Sequence, residues 1–288
     1  MLRRTAKRFL SFPPVDRRLR AFYCPPANGL AAEEISTALV EGQIWYLSQR
    51  KAGTTFLCNT LAFYNSQIHG IANVDFGNIE SGGVGRGAGT EERVLRGLIQ
   101  FQRKTGARIL VHTHHNLPRC EPALLLCSTR DPLDYVVSSY HYFYKNRYSR
   151  SGVSVDAALP HIVSLFCSTH RAQREAASRC EKVVKVNYED LVSQKENVLC
   201  SVVESIYGAC DKRALMDAIE RASAGNLREF ELRQGFAHIA ERESYMGRHF
   251  VRSGEVGEGR RVLSKDQMRV VWRRLESDGI PTDGSFDF

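Results

Sequence analysis

A short polar loop, residues 51–55 (KAGTT), is the first candidate for chemistry because it lies between an apolar run and a helical pattern. Glycine lets backbone N–H groups approach an anion, the next helix adds the positive end of its dipole, and threonine hydroxyls donate to phosphate oxygens. Lys51 adds a positive charge. The order differs from the nucleoside triphosphatase pattern GxxxxGK[ST], since the lysine precedes the glycine. Such short loops also recur by chance, so an anion site and an ordinary turn both stay open.

Two histidines, His112 and His114, stand at the end of the apolar run ARILVHTH (107–114). A neutral imidazole, with an ordinary pKa of about 6.5, can accept a proton from a hydroxyl near neutral pH. Side chains alternate along a strand, so both histidines point to one side if Thr113 points to the other. His115 then faces away and is interpreted as structural or as part of a rim. From position alone, a structural histidine at a strand end is the more common case.

Short apolar strands that alternate with helices are the elements expected to position these residues. The runs 107–114 and 123–130 both end in polar residues, which is typical of buried parallel strands whose carboxyl ends carry function. The pattern predicts a three-layer α/β, P-loop-like fold with a mostly parallel central sheet flanked by helices. The predicted strands are 43–49, 107–114, 123–130 and 182–190, and the predicted helices follow residue 54 and cover about 90–105, 132–144, 154–178, two segments within 190–222, and 264–278 with Ser264 as N-cap.

The chain has 288 residues, of which 43% are hydrophobic, enough for one large domain or two small ones. Two proline pairs break up residues 1–40, which we interpret as a basic N-terminal arm with a peripheral segment. Residues 41–288 are predicted to form one domain. The glycine-rich stretch 77–89 is interpreted as a mobile loop near a site.

The formal net charge of +8 indicates a polyanionic partner: nucleic acid, an anionic membrane surface or a phosphate-rich small molecule. Basic residues are interspersed with acidic ones and no nucleic-acid motif is present, so nucleic acid is not expected. Residues 1–12 place apolar side chains at helical spacing among basic ones, which fits a membrane-surface helix or a targeting arm, although a solvated basic tail is favoured.

The chain has eight cysteines, and none of them forms a CxxC pair or has the spacing of a zinc site. This favours free thiols in a reducing compartment, although the even number is also compatible with disulfides. No run reaches about 18 apolar residues, so no spanning helix is expected. The chain begins without a long apolar segment, so a secretory signal is not expected either. These features predict a cytoplasmic protein, with peripheral membrane contact through residues 1–12 as an alternative. The oligomeric state stays open, a homodimer being one option.

The order Lys-x-Gly-Thr-Thr-aromatic in residues 51–56 resembles the 5′-phosphosulfate loop, PKSGTTW, of cytosolic-type sulfotransferases. These enzymes use 3′-phosphoadenosine-5′-phosphosulfate (PAPS) as sulfuryl donor. Arg50 replaces the proline, Ala52 the serine and Phe56 the tryptophan. In that family the lysine contacts the bridging oxygen of the departing phosphosulfate and the aromatic residue lies against the adenine. The resemblance implies these roles for Lys51 and Phe56.

Further segments resemble the same family in the same chain order. Residues 107–118 are similar to its KTHLP segment, 130–143 to RNPKDVxVSYYHF, 186–191 to YEDL, 250–261 to FxRKGxxGDWK and, more weakly, 222–231 to SFENLRKxE. The resemblance implies that His114 is the catalytic base. It also implies contacts to the nucleotide from the following residues: Lys51, Ala52, Gly53, Thr54, Thr55, Phe56, Arg130, Ser138, Tyr188, Ser223, Arg252, Ser253 and Gly254.

Three departures from the family pattern affect this site. His112 stands where the family has a lysine, so we count it with Lys51 and His114 as a catalytic candidate whose charge depends on pH. Ala224 replaces a phenylalanine that helps to hold the adenine, and Ser253 replaces a lysine. The nearby arginines at 260 and 261 are candidates to supply the lost positive charge.

The activity implied is transfer of a sulfuryl group from PAPS to a hydroxyl or amine of a small-molecule, glycan or lipid acceptor, with PAP (adenosine 3′,5′-bisphosphate) as product and no metal required. A degenerate PAPS- or PAP-binding protein without turnover is one alternative. A P-loop kinase is another, although its GK[ST] loop is missing. Stretches 77–89, 143–153 and 235–250 are candidate acceptor walls, and their sequences leave the acceptor open.

Overall fold

A parallel β-sheet runs through the computed structural model, which describes residues 43–68, 74–75, 109–113, 124–147, 152–223, 225–226 and 254–282. Its strand order is β2-β3-β1-β4-β5, and every pairing between these strands is parallel. Helices flank the sheet, so the predicted α/β class with a mostly parallel sheet is confirmed. The strands are β1 Gln43–Ser48, β2 Val74–Asp75, β3 Ile109–Thr113, β4 Leu124–Thr129 and β5 Val183–Asn187.

The predicted strand over 182–190 is too long, because the backbone becomes helical at Tyr188. Asn187, in an extended conformation, is the residue before that helix, and Glu189 and Asp190 lie in its first turn, where acidic side chains favour a helix start. Tyr188 is therefore the first residue of a helix at the end of β5. This places its ring at the carboxyl end of the sheet, where ligands bind in parallel α/β folds.

The helices predicted after residue 54 and over 132–144, 154–178, 190–222 and 264–278 are present, although a π-helical segment replaces the end of the second. The helix predicted over 90–105 lies outside the described residues, and the short helices at 188–193 and 258–262 were not predicted. Ser264 caps the last helix with a capping box, as predicted, and Pro132 occupies the first turn of its helix. The helices are α1 Thr54–Ile68, α2 Pro132–Tyr140, the π-helical segment His141–Arg147, α3 Val155–Ala177, α4 Tyr188–Ser193, α5 Lys195–Tyr207, α6 Lys212–Arg221, α7 Glu258–Val262 and α8 Lys265–Ser277.

Two apolar clusters hold these layers together. One joins alternate residues of β1 and β4, such as Tyr46 and Leu126, to α1, α5 and α6. The other joins α2, α3 and α8 around the edge-to-face pair of Tyr135 and Phe166. Within the described residues, no helix is both long and apolar enough to cross a bilayer.

The strand register brings the carboxyl ends of the three central strands to one level. Leu47 of β1 aligns with Thr113 of β3 and with Cys127 of β4. The buried amide of Gln173 on α3 donates from Nε2 to the carbonyls of Leu47 (2.8 Å) and Ser128 (2.9 Å). A helix thereby fixes the ends of β1 and β4 at the point where the chain leaves the sheet for its polar loops.

His170, on α3, gives the fold a specific acid sensitivity. It is 1% exposed, and burial, with a smaller effect from Arg174, lowers its pKa from 6.5 to about 4. The unfolded chain takes up this proton at a higher pH than the folded chain, so stability falls as the pH drops from 6.5 through 4. We expect thermal unfolding of His170→Gln to depend less on pH in this window than that of the wild type.

Exposed Ser168, on the same helix, gives the control variant Ser168→Ala, which should keep the wild-type pH dependence. Melting temperatures measured by circular dichroism from pH 7 to pH 4 test the prediction. An equally steep acid dependence in His170→Gln would contradict it.

Candidate active site

The loop between β1 and α1 turns sharply through two residues with positive φ. Lys51 has φ 65° and Gly53 has φ 75°, and Lys51 is the only non-glycine residue with positive φ in the described part of the chain. A left-handed conformation costs a non-glycine residue about 1–2 kcal/mol, so the surrounding contacts must hold it. Backbone turns of this kind direct successive N–H groups to one side and form concave sites for anions.

Gly53 is required by its surroundings as well as by its backbone angle. A Cβ added there would lie 2.9 Å from Leu191 Cδ2 and 3.1 Å from Tyr188 Cδ2. The loop therefore packs directly against α4. The next residue, Thr54, opens α1, whose first turn contains no acidic side chain. The positive end of the α1 dipole is thus left for an external anion.

The Lys51 ammonium lies over an aromatic ring. Its Nζ is 4.6 Å from the ring centroid of Tyr142, which belongs to the π-helical segment. Such a contact is worth about 0.5–2 kcal/mol, depending on desolvation. Short π-helical stretches often lie at functional sites, and this one directs a tyrosine toward the lysine of the loop. The sequence motifs gave no sign of this pairing.

Arg130 lies at the carboxyl end of β4 and joins three segments. Its Nη1 donates to the carbonyl of Lys51 (3.0 Å), its Nη2 donates to the carbonyl of Glu255 (2.9 Å), and its guanidinium is 4.2 Å from the ring centroid of Tyr188. Its backbone N–H donates to Oε1 of buried Gln49 (3.1 Å). Arg130 is 4% exposed, and its buried Nε has no hydrogen-bond partner among the residues that the structure describes.

Tyr188 connects the same junction to the segment that follows residue 253. Its hydroxyl donates to the carbonyl of Gly254 at 2.9 Å, and Gly254 has φ 73°. Burial raises the pKa of the Tyr188 phenol, an effect that the Arg130 guanidinium partly offsets. The phenol therefore stays protonated and donates this hydrogen bond across the neutral pH range.

His112 lies in a buried polar layer beneath the loop. It is 4% exposed, its Nε2 is 2.7 Å from Oγ of Ser48, and its ring centroid is 5.2 Å from that of Tyr46. The Tyr46 hydroxyl donates to Ser128 Oγ at 2.8 Å, so the layer extends from β3 across β1 to β4. This environment suits a residue that supports the loop from below. The catalytic assignment of His112 stays a prediction.

The other predicted residues are distributed unevenly around this junction. Ala52 is buried in the loop, and half-buried Thr55 and Phe56 begin α1. Ser138 is half-buried on α2, about two turns beyond Arg130. Ser223 follows α6 and lines a groove of about 490 Å³ between α5 and α6. None of the other predicted site residues that the structure describes lines this groove. His114, Ala224, Arg252 and Ser253 lie outside the described residues, as do stretches 1–40, 77–89 and 235–250.

Comparison with known proteins supports the fold. No family model and no curated protein sequence matches the chain. The structure is similar to that of retinol dehydratase in complex with androsterone and the inactive cofactor PAP, with 14% identity, a TM-score of 0.59, and 86% of this chain and 84% of that chain covered. It is also similar to the mouse sulfotransferase SULT7A1 complexed with PAP, with 17% identity, a TM-score of 0.59, and 86% and 89% covered.

A second retinol dehydratase complex, with retinol and PAP, gives 14% identity, a TM-score of 0.57 and the same coverage of 86% and 84%. The chain therefore has the fold of these PAP-bound proteins over most of its length. The resemblance drawn from the sequence motifs is confirmed at the level of the fold.

Proposed function

We propose that the chain is a sulfotransferase that moves a sulfuryl group from PAPS to a hydroxyl or amine of an acceptor and releases PAP. The observation that carries this proposal is the junction around Arg130. One side chain contacts Lys51 of the loop, Glu255 near the C-terminus and the Tyr188 ring. These are the segments whose sequences resemble the nucleotide-binding motifs of the PAPS-dependent enzymes, and they meet at the carboxyl ends of the strands.

The described residues fit a nucleotide that carries phosphate at two places. The loop at Gly53 has no room for a Cβ and leads into a helix start without acidic side chains, which suits the 5′-phosphosulfate. Within the described part of the chain, the buried Nε of Arg130 has no hydrogen-bond partner, which suits the 3′-phosphate. The proteins of similar fold were crystallised with PAP, which agrees with this assignment.

The residues of this chain then have separate tasks in the transfer. A bond forms between the acceptor oxygen or nitrogen and sulfur, while the bond between sulfur and the bridging phosphate oxygen breaks. His114 is proposed to take the acceptor proton on a ring nitrogen. Lys51 is proposed to stabilise the charge that develops on the bridging oxygen, aided by the α1 dipole. Because the cations are supplied by side chains, these roles do not call for a metal ion.

The direct test uses the full-length wild-type chain, with calorimetry for binding and ³⁵S-labelled PAPS for transfer. We expect PAP to bind more tightly than ATP, and label to move to at least one acceptor in a panel of phenols, steroids, glycans and glycolipids. Tight ATP binding without affinity for PAP or PAPS would overturn the proposal. PAP binding without transfer to any acceptor would instead favour a non-catalytic PAP-binding protein, the reading suggested by Ala224, Ser253 and buried His112.

A further inference from the structure

A buried carboxylate, Asp134, lies beside the Arg130 junction, and no motif comparison assigned it a role. It belongs to the first turn of α2 and is 1% exposed. Its Oδ1 accepts a hydrogen bond from the N–H of Gly259 at 2.6 Å, and its Oδ2 accepts one from the N–H of Gly257 at 2.7 Å. Hydrogen bonds to a buried charged acceptor are stronger than those between neutral groups.

The backbone that Asp134 binds is pressed directly against α2. A Cβ added at Gly259 would lie 2.3 Å from the carbonyl carbon of Leu133 and 2.6 Å from the N of Asp134. Gly257 has φ 80°, a conformation that favours glycine. The carboxylate and these glycines together fix the position of residues 255–259 on the start of α2.

This fixed segment in turn holds Arg130. The carbonyl of Glu255 accepts from Arg130 Nη2 at 2.9 Å, and the same Nη2 is 3.8 Å from Asp134 Oδ2. Asp134 therefore acts on the guanidinium both directly and through the backbone of residues 255–259. Nη1 donates to the carbonyl of Lys51, so the orientation of Arg130 is set from both sides. This also fixes the direction of its Nε, which no described residue contacts by a hydrogen bond.

We propose that Asp134 is a positioning residue that orients Arg130 for the 3′-phosphate of the nucleotide, an inference that rests on the proposed function. Asp134 does not touch the phosphate itself. Its removal should weaken recognition of the 3′-phosphate and leave recognition of the rest of the nucleotide intact.

The test compares two ligands that differ only in the 3′-phosphate, PAP and AMP, in the full chain. In Asp134→Asn the shape is kept, but the amide nitrogen faces backbone N–H donors and the charge beside Arg130 is lost. We expect the preference for PAP over AMP, measured by calorimetry, to fall by about tenfold or more, with AMP affinity within about twofold of the wild type. Removing a negative charge near an anion should by itself strengthen binding, so a loss cannot come from net charge.

Asp211→Asn is the matched control, because it makes the same change at a carboxylate that caps a helix, α6, away from the Arg130 junction. Asp211 accepts a hydrogen bond from the N–H of Ala214 at 2.9 Å, and asparagine caps equally well. The PAP preference of this variant should equal that of the wild type. Should Asp134→Asn not fold, as judged by circular dichroism, Gly257→Ala is the second variant: there is space for the methyl group, but the residue is strained at φ 80°, which disturbs the N–H that donates to Asp134 Oδ2. It is expected to lower the same preference to a smaller degree.

The outcomes separate the two proposals. If the wild type does not bind PAP, the proposed function fails. If the wild type prefers PAP and a folded Asp134→Asn keeps that preference, or loses affinity for PAP and AMP equally, the positioning role of Asp134 is wrong. If Asp134→Asn does not fold, unchanged preference in Gly257→Ala overturns it.

Discussion

Replacement of His114 by alanine is expected to lower the rate of sulfuryl transfer by about 100- to 10,000-fold, the range typical for loss of a general base. A methyl group cannot accept the acceptor proton, so attack on sulfur must proceed from a protonated oxygen or nitrogen. Affinity for PAP should stay within about threefold of the wild type, since the proposed contacts to the nucleotide come from other residues. Single-turnover transfer of ³⁵S label and calorimetric titration with PAP measure the two quantities separately.

His115→Ala is the control for this prediction because it removes an imidazole at the adjacent position, which we interpret as structural or as part of a rim. It should retain most of the transfer activity. Full activity in His114→Ala would exclude His114 as the base. A parallel loss of PAP affinity would show that the histidine acts in nucleotide binding or in folding.

The two histidines show what a local sequence pattern can and cannot predict about the site. Alternation along the predicted strand 107–114 made both His112 and His114 candidates, and only the resemblance to KTHLP separates them, since it implies the base at 114 and a lysine at 112. His112 contacts Ser48, 64 residues away along the chain, only because β1 and β3 pair in the sheet. A parallel register is a long-range property, so hydrogen bonds across it cannot be derived from apolar periodicity alone.

The predictable part of the site is the part carried by short contiguous patterns. The loop 51–55, the strand that precedes it and the polar residues after β4 were all placed from the sequence. The contacts of Arg130 with Lys51, of Asp134 with Gly257 and of Lys51 with Tyr142 join segments 79, 123 and 91 residues apart. These contacts arise from packing at the carboxyl edge of the sheet, and for that reason Asp134 and Tyr142 were missed.

The sequence contains one indication that a segment packs against Asp134, but this indication is not specific. Glycines at 254, 257 and 259 indicate a segment with unusual backbone angles or a close approach, and the structure has positive φ at Gly254 and Gly257. Close approach at Gly259 requires a partner backbone, and the start of α2 provides it. The sequence thus indicates a close approach of backbone at these glycines, but it does not indicate which segment approaches them.

Replacement of Lys51 by methionine is expected to lower transfer by about 100- to 1,000-fold, the cost of removing one preorganised group that stabilises developing charge. Methionine keeps the length and packing of the side chain, so the loop and its positive φ at position 51 should persist. PAP affinity should fall by less than the transfer rate, because backbone N–H groups and the α1 dipole remain. The pair of measurements is the single-turnover rate with ³⁵S-PAPS and the calorimetric affinity for PAP.

Arg50→Met provides the matched control, since Arg50 is a cation on the same turn, one residue before Lys51. If charge near the loop were all that mattered, both variants would lose similar activity. We expect the loss to be confined to Lys51→Met, because its ammonium is fixed over Tyr142 and its carbonyl is bound by Arg130. Equal losses in both variants would show that Lys51 contributes only its positive charge and has no specific role in the transfer step. His114 would then be the one residue predicted to affect the transfer rate without affecting PAP affinity.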